Sequence, residues 1–282
     1  MDESQDLSPW IGNTEVRKDA VRASQVAAWN ATLDRDEPFP AEREPVPPGF
    51  HWTLFADVAR HSELGPDGHP RRGGFLPPVT LPRRMWAGSE VRFGVPLRVG
   101  DDVEQTSVVE RIEEKQGRVG RLCFVTVHRT TRCPRGIAVD EDQHLVYRDA
   151  QNRPAFGGPI KPADPGAWRR TILPDDVLLF RFSALTFNGH RIHYDHRYAT
   201  EQEGYPGLVV HGPLIATLLL DLLRRRLPEA SPSAFTFKAL RPTFDISPFD
   251  LDGEPDPAGG PVRLWSTDNN GEVAVEAEAV LK

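Results

Sequence analysis

From Pro213 to Pro228 the chain reads PLIATLLLDLLRRRLP, a run that leaves a helix almost no polar face. Pro213 suits the first helical turn, where no backbone N–H is required. Arg224, Arg225 and Arg226 complement the last-turn carbonyls, and Pro228 ends the element. Only Thr217 and Asp221 interrupt the apolar surface. A helix apolar all round must be buried on every side. The run is too short for a membrane span and carries an aspartate, so protein has to surround it, as a curved sheet would.

The residues before this helix bring chemistry to its start. In Val210-His211-Gly212-Pro213, Gly212 admits close approach of a ligand, and the unpaired N–H groups of the first turn favour developing negative charge, as an oxyanion hole requires. A tight turn alone would also ask for Gly212. Upstream, TFNGHRIHYD sets His190, His193 and His196 at three-residue intervals with Asn188 and Asp195 among them. Imidazoles and a carboxylate can ligate a metal. However, the segment follows the strand-like LLFRF and contains Asn188-Gly189, which points to a loop off a strand carrying a general base. No metal is expected.

FSALTFNGHRIHYD, Phe182 to Asp195, followed by EGYPGLVVHGPL, Glu203 to Leu214, resembles the MaoC-like hydratases and dehydratases of thioesters. Within them it is most similar to the branch of type 2 3-hydroxyacyl-thioester dehydratases and mesaconyl-C4-CoA (itaconyl-CoA) hydratases. That family reads approximately S-G-D-x-N-P-I-H. Laid on this chain to end at His193, the pattern puts Thr186 at its serine, Asn188 at its aspartate, His190 at its asparagine and Arg191 at its proline. His193 is then the one titratable position kept unchanged. The family's paired Asp and His hold the attacking water, but an amide at Asn188 cannot act as a base. The resemblance therefore implies catalytic roles for His193, Asn188 and Gly212, with His190, Asp195 and His211 as helpers.

In a chain of 282 residues with net charge −7 and no basic block, nucleic acid is an unsuitable partner and a large core is available. Cys123 and Cys133 are too few for a disulfide framework and lack metal spacing, which fits a cytoplasmic home. The acidic N-terminus has no apolar signal core behind it. Thr14 to Leu33 reads as an amphipathic helix with Val16, Ala20, Ala23 and Ala27 near one face, residues 34–50 as an ordered strap, and His51 to Ala59 as the start of a short helix. Residues 65–88 are rich in proline yet core-like in Phe75, Leu76, Val79, Leu81, Met85 and Trp86. They form an irregular segment that either lines a cleft or covers a core edge. Strands follow from Glu90, over 103–115, 119–131 and 137–147.

Proline and glycine then mark a linker, and the organisation is 1–150, a linker 151–171, and 172–282. In the second half a strand covers 234–240, a Pro/Gly/Asp loop 245–261, and a hairpin 262–281 around Asp268-Asn269-Asn270-Gly271. SEVRFGVPLRVGD beside SAFTFKALRPTFD suggests duplication. An apolar helix wrapped by an antiparallel sheet, twice over, is an α+β double hot-dog, with the N-terminal half degenerate; the resemblance implies the same.

The resemblance further implies a hydro-lyase acting on an acyl-CoA partner, with no membrane, a homodimer as one open assembly, and no cofactor beyond the coenzyme A of the substrate. The substrate expected is a C4-dicarboxylic enoyl-CoA, mesaconyl-C4-CoA or itaconyl-CoA giving citramalyl-CoA. A fatty 3-hydroxyacyl-thioester dehydratase, a hot-dog thioesterase and a non-catalytic acyl-thioester binder are the alternatives. A buried distal carboxylate needs a paired cation. Arg83 and Arg84 beside Trp86 are the candidates in residues 73–88, where the first half has given up its own helix, with Arg71 and Arg72 behind them. Arg191 is a further substrate-binding candidate, and solvated loop arginines are the plain alternative.

Overall fold

The computed structural model describes residues 6–117, 120–149 and 163–282. Its strands are β1 (Thr14–Ala20), β2 (Arg83–Phe93), β3 (Asp102–Gly117), β4 (Gly120–Cys133), β5 (Gly136–Arg148), β6 (Trp168–Ile172), β7 (Pro232–Ala239), β8 (Phe249–Glu254), β9 (Val262–Thr267) and β10 (Val273–Leu281). The helices are α1 (Ala23–Thr32), α2 (Asp176–Thr186) and α3 (Gly212–Arg226).

All ten strands form one antiparallel sheet in the order β1-β3-β4-β5-β2-β7-β10-β9-β8-β6. From either edge inward the order is first, third, fourth, fifth, second strand of that half. The duplication suggested by the sequence is therefore a duplication of topology, and the two hot-dog halves join where β2 pairs β7, from Gly88 with Lys238 to Arg92 with Ala234. A Cβ at Gly88 would lie 2.3 Å from the Phe237 carbonyl oxygen, so this seam needs a glycine.

Every residue from Leu214 to Leu223 in α3 is buried, packed with Phe235, Phe237, Leu251, Val275 and Ala277 of the sheet. Each such leucine contributes roughly 2 kcal/mol relative to exposure. Between α1 and β2 the described chain has only single turns, Phe50–Thr53 and His61–Glu63. No long helix fills the first half there, and space remains over its sheet. Among the described residues no helix is long and apolar enough to cross a membrane.

Several elements differ from the sequence expectation. Residues 14–20 are not helical: they form β1 on β3, with Val16 outward and exposed and with Glu15 and Arg17 facing a cavity. LLFRF is helical, not a strand. Asp175 caps α2 by accepting the Leu178 N–H at 2.8 Å, and Leu179, Phe182 and Ser183 are buried at helical spacing; a short apolar run does not distinguish the two states. The 245–261 loop contains β8, whose Asp252 is buried against Arg169 at 2.8 Å. Strand β2 begins at Arg83, inside the stretch expected to be irregular to 88. Of the expected linker, 151–162 lie outside the described residues, and its last residues contribute to β6 on β8.

The one buried charge of α3 is neutralised from three sides. Asp221 binds Arg35 at 2.9 Å, Arg170 at 2.7 Å and Arg225 at 2.7 Å. Asp221→Asn leaves these guanidinium groups without a buried anion and should lower unfolding stability by about 3 kcal/mol, read by urea denaturation. An unchanged midpoint would contradict this role.

Candidate active site

A cavity of about 960 Å³ lies where the first half lacks its helix. Its floor is the polar inner face of β3, β4 and β5, with Gln105, Arg129, Glu141 and Gln143. Its wall is the loop after α2 and the start of α3.

Helix α2 ends because Phe187 adopts a left-handed conformation, φ 51°, and the Asn188 N–H donates to the Ser183 carbonyl at 2.8 Å. The Asn188 Oδ1 then accepts the His190 N–H at 3.0 Å. This turns the chain so that His190 and His193 reach the cavity, while His196 stays exposed. Asn188 lines the cavity too, with its carbonyl occupied in shaping the turn.

His193 is buried, and its Nδ1 lies 2.6 Å from the Val209 carbonyl oxygen. A carbonyl can only accept, so Nδ1 carries the hydrogen and Nε2 keeps its lone pair. The ring stacks on His211 at 3.7 Å and 18°. His211 caps α3 from behind the cavity wall and shares a hydrogen bond with the Ser183 hydroxyl through Nε2 at 2.8 Å. Three residues past Val209 comes Gly212, which with Leu214 carries first-turn N–H groups that no carbonyl within the helix can accept. A Cβ on Gly212 would meet nothing nearer than the Trp86 carbonyl oxygen at 3.7 Å. An alanine there fits the protein and intrudes only on the cavity.

Burial pushes His193 down to about 4. It also holds His190 far below its ordinary range, with His69, His193 and Arg84 adding to the effect, and keeps His211 well below its own. All three are neutral near pH 7. Thus His193 presents a lone pair without having to lose a proton first.

The arginines separate. On β2, Arg84 and Trp86 face the cavity, whereas Arg83 pairs with Glu203 at 3.0 Å and lies over the Tyr205 ring; adjacent strand residues point to opposite faces. Arg191 is outside the cavity. It binds Asp195 at 2.7 Å and the Pro66 carbonyl at 2.9 Å, with its guanidinium over Tyr198. Arg191 and Asp195 thus brace the loop from behind and are not gathered with the substrate-facing groups. Arg72 is spent on the carbonyls of Val79, Leu81 and Pro82.

Two residues of this site escaped the sequence reading, His69, which lines the cavity, and Asp67, which holds it. His69 packs against His190 with ring centroids 4.2 Å apart and planes tilted by 44°, and its Nδ1 lies 3.2 Å from Asp67 Oδ2. A signal was present, since Asp67-Gly68-His69 echoes Asn188-Gly189-His190. Asp67, His69 and His190 bring atoms capable of holding a metal ion within 4.8 Å of one another. The positive charge of Arg84, which depresses both histidines, works against a cation there.

The model of the family hydroxyacyl-thioester dehydratase type 2 matches residues 49–245. Mesaconyl-C4-CoA hydratase of Chloroflexus aurantiacus is 43% identical over 279 residues, covering 99% of both chains. Among solved structures, a MaoC-like dehydratase superimposes with TM-score 0.70 at 14% identity, over 97% of this chain and 99% of that one. A Mycobacterium tuberculosis protein with a double hot-dog fold gives TM-score 0.60 at 12% identity, over 96% of each. At those identities the two structures speak for the fold.

The buried imidazoles also make stability depend on pH. Their folded-state values lie below the ordinary 6.5, so on acidification the unfolded chain takes up protons that the folded one refuses. Stability is present above about pH 6.5 and falls below it, by up to about 1.4 kcal/mol per pH unit for each imidazole. The melting temperature should drop between pH 7 and pH 5, and His190→Gln should flatten that slope. An equally steep fall in His190→Gln would contradict the assignment.

Proposed function

Because the chain belongs to the hydroxyacyl-thioester dehydratase type 2 family, we propose that its cavity adds water across the carbon–carbon double bond of a C4-dicarboxylic enoyl-CoA of the mesaconyl-C4 or itaconyl type, in mesaconyl-C4-CoA the α,β bond of the thioester. The chain is a hydro-lyase. The observation that carries the site assignment is that one short segment, Val209 to Gly212, anchors the base and begins the oxyanion-stabilising helix.

With the thioester oxygen at the Gly212 N–H, the double bond lies open to a water held by His193. Nε2 removes a proton from that water as its oxygen bonds to the β-carbon. The π electrons move to an enolate whose oxygen is stabilised at the start of α3. The imidazolium then returns the proton to the α-carbon, and His193 is neutral again. Every proton comes from water or the histidine, so the reaction asks for no cofactor. Asn188 shapes the loop and does not ionise.

In mesaconyl-C4-CoA the free carboxylate sits on the carbon that water attacks. A cation is therefore wanted close to the water-holding histidines, and Arg84 is there: its charge acts on His69 and His190. Its guanidinium offers a carboxylate two parallel hydrogen bonds. Arg83, committed to Glu203, leaves this role to Arg84. The apolar wall of Phe75, Leu76 and Leu145 favours the second reading, a fatty 3-hydroxyacyl-thioester dehydratase. A thioesterase reading loses its carboxylate, since Asp221 is bound by arginines. Free Cys123 and Cys133 support a cytosolic location.

Incubated with mesaconyl-C4-CoA, itaconyl-CoA or crotonyl-CoA, the enzyme should consume the carbon–carbon double bond without releasing thiol. Free thiol would instead indicate a thioesterase. His193→Ala should lose about two or more decades of turnover, and Gly212→Val about 3 kcal/mol of transition-state stabilisation. Arg84→Ala should impair the dicarboxylic substrates far more than crotonyl-CoA. Equal losses on all three, or a wild-type preference for medium-chain enoyl-CoAs, would favour the fatty-acyl reading.

A further inference from the structure

Asp67-Gly68-His69 and Asn188-Gly189-His190 are one turn built twice, once in each half of the chain. In both, the Asx Oδ1 accepts the N–H of the histidine two residues on, at 3.1 Å and 3.0 Å. The turns are pressed together. The Arg191 N–H donates to the Asp67 carbonyl and its guanidinium to that of Pro66, each at 2.9 Å. A Cβ on Gly68 would fall 1.9 Å from the Gly189 carbonyl oxygen, and Gly68 itself has φ +89°. No side chain fits between them, and the close approach brings the His69 and His190 rings into contact, centroids 4.2 Å apart and tilted by 44°.

The two copies differ in one atom, and that atom decides the chemistry. Asn188 is an amide, whereas Asp67 can be a carboxylate; although burial opposes ionisation, the His69 imidazole and backbone hold its carboxyl below the ordinary range. An ionised carboxylate only accepts, so His69 donates Nδ1–H to it and keeps a lone pair on Nε2. Among the described residues Nε2 has no protein partner, and His69 lines the same cavity as His193. His193, fixed by Val209, has the same tautomer and the same free nitrogen. A water molecule has two hydrogens to place, and among the imidazoles lining the cavity His69 and His193 are acceptors of fixed tautomer, one from each half.

Resting on the hydratase reading above, we propose that His69, oriented by Asp67, is the second acceptor that holds the attacking water opposite His193. One hydrogen of the water passes to His193 Nε2 and then to the α-carbon. The other stays hydrogen-bonded to His69 Nε2 and remains on the product hydroxyl. Oxygen lone-pair density is thereby aimed at the β-carbon, and atoms and charge balance without a further reactant. His69 touches the reacting water and is catalytic. Asp67 acts through His69 and is a positioning residue. Together they supply from the first half what Asn188 cannot supply in the second.

The test is steady-state hydration by the full-length enzyme, with kcat and KM determined separately and folding checked by thermal melting. His69→Ala should lose about two decades of kcat with KM little changed. His69→Gln, whose amide oxygen can accept from water, should recover at least about tenfold of that loss. Asp67→Asn keeps the Oδ1 that forms the turn but puts an NH2 donor where Oδ2 accepts from His69 Nδ1, so it removes both the charge and the acceptor that fixes the tautomer. It should lower kcat while KM and the melting temperature hold, and it carries the test if His69→Ala does not fold. Wild-type kcat in His69→Ala or Asp67→Asn, or no recovery in His69→Gln, would overturn the proposal. A failure of the hydratase reading would show in the wild-type enzyme, before any of these comparisons.

Discussion

The start of α3 is held in place by the burial of everything behind it. A helix apolar on all sides cannot slide or rotate without exposing leucine, so its first turn is fixed against the cavity as firmly as the core itself. The same segment carries Val209, whose carbonyl sets the tautomer of His193, and His211, on which that ring stacks. The proposed base and oxyanion donors are thus positioned by one packing event. A shift of either would have to move the helix.

The chemistry depends on what the two halves do differently. The second half spends its concave face on a helix. The first half keeps only short turns between α1 and β2 and leaves Gln105, Arg129, Glu141 and Gln143 to line an open space. Into that space the second half sends His190 and His193, and the first sends His69 and Arg84. Burial keeps the imidazoles neutral. Neutral nitrogens accept hydrogen bonds from water, which ammonium-like ones would not. The guanidinium of Arg84 adds to burial in disfavouring protonation of its histidine neighbours, and in the proposed function it also offers charge to a carboxylate.

How much of this the sequence disclosed follows from where each residue faces. Helix α3 was legible because no exposed position competes with its apolar surface, and strands β3, β4, β5, β9 and β10 because alternation and turn residues agree. Strand β1 was not. Its inward side chains Glu15 and Arg17 face the cavity and Val16 faces solvent, which inverts the rule that apolar positions point inward. Strand β8 was hidden because Asp252 and Gly253 resemble turn residues, although Asp252 is buried with Arg169 and Gly253 packs on Trp168. Within the site, Gly212 was placed at the cavity by local pattern, whereas His193 was singled out among the histidines by the family resemblance. The division between Arg83 and Arg84 needed the knowledge that both lie on a strand. Asp67 and His69 lay in a segment whose prolines and glycines left open whether it lines a cleft or covers a core edge, and only the fold shows that it packs glycine to glycine on the histidine loop.

A crystal structure of the enzyme with its 3-hydroxyacyl-CoA product bound addresses the arrangement most directly. The account places the thioester oxygen within hydrogen-bonding reach of the Gly212 N–H and the product hydroxyl within about 2.6–3.2 Å of the free Nε2 of both His193 and His69. A hydroxyl far from both imidazoles, or a thioester oxygen turned away from the start of α3, would contradict it.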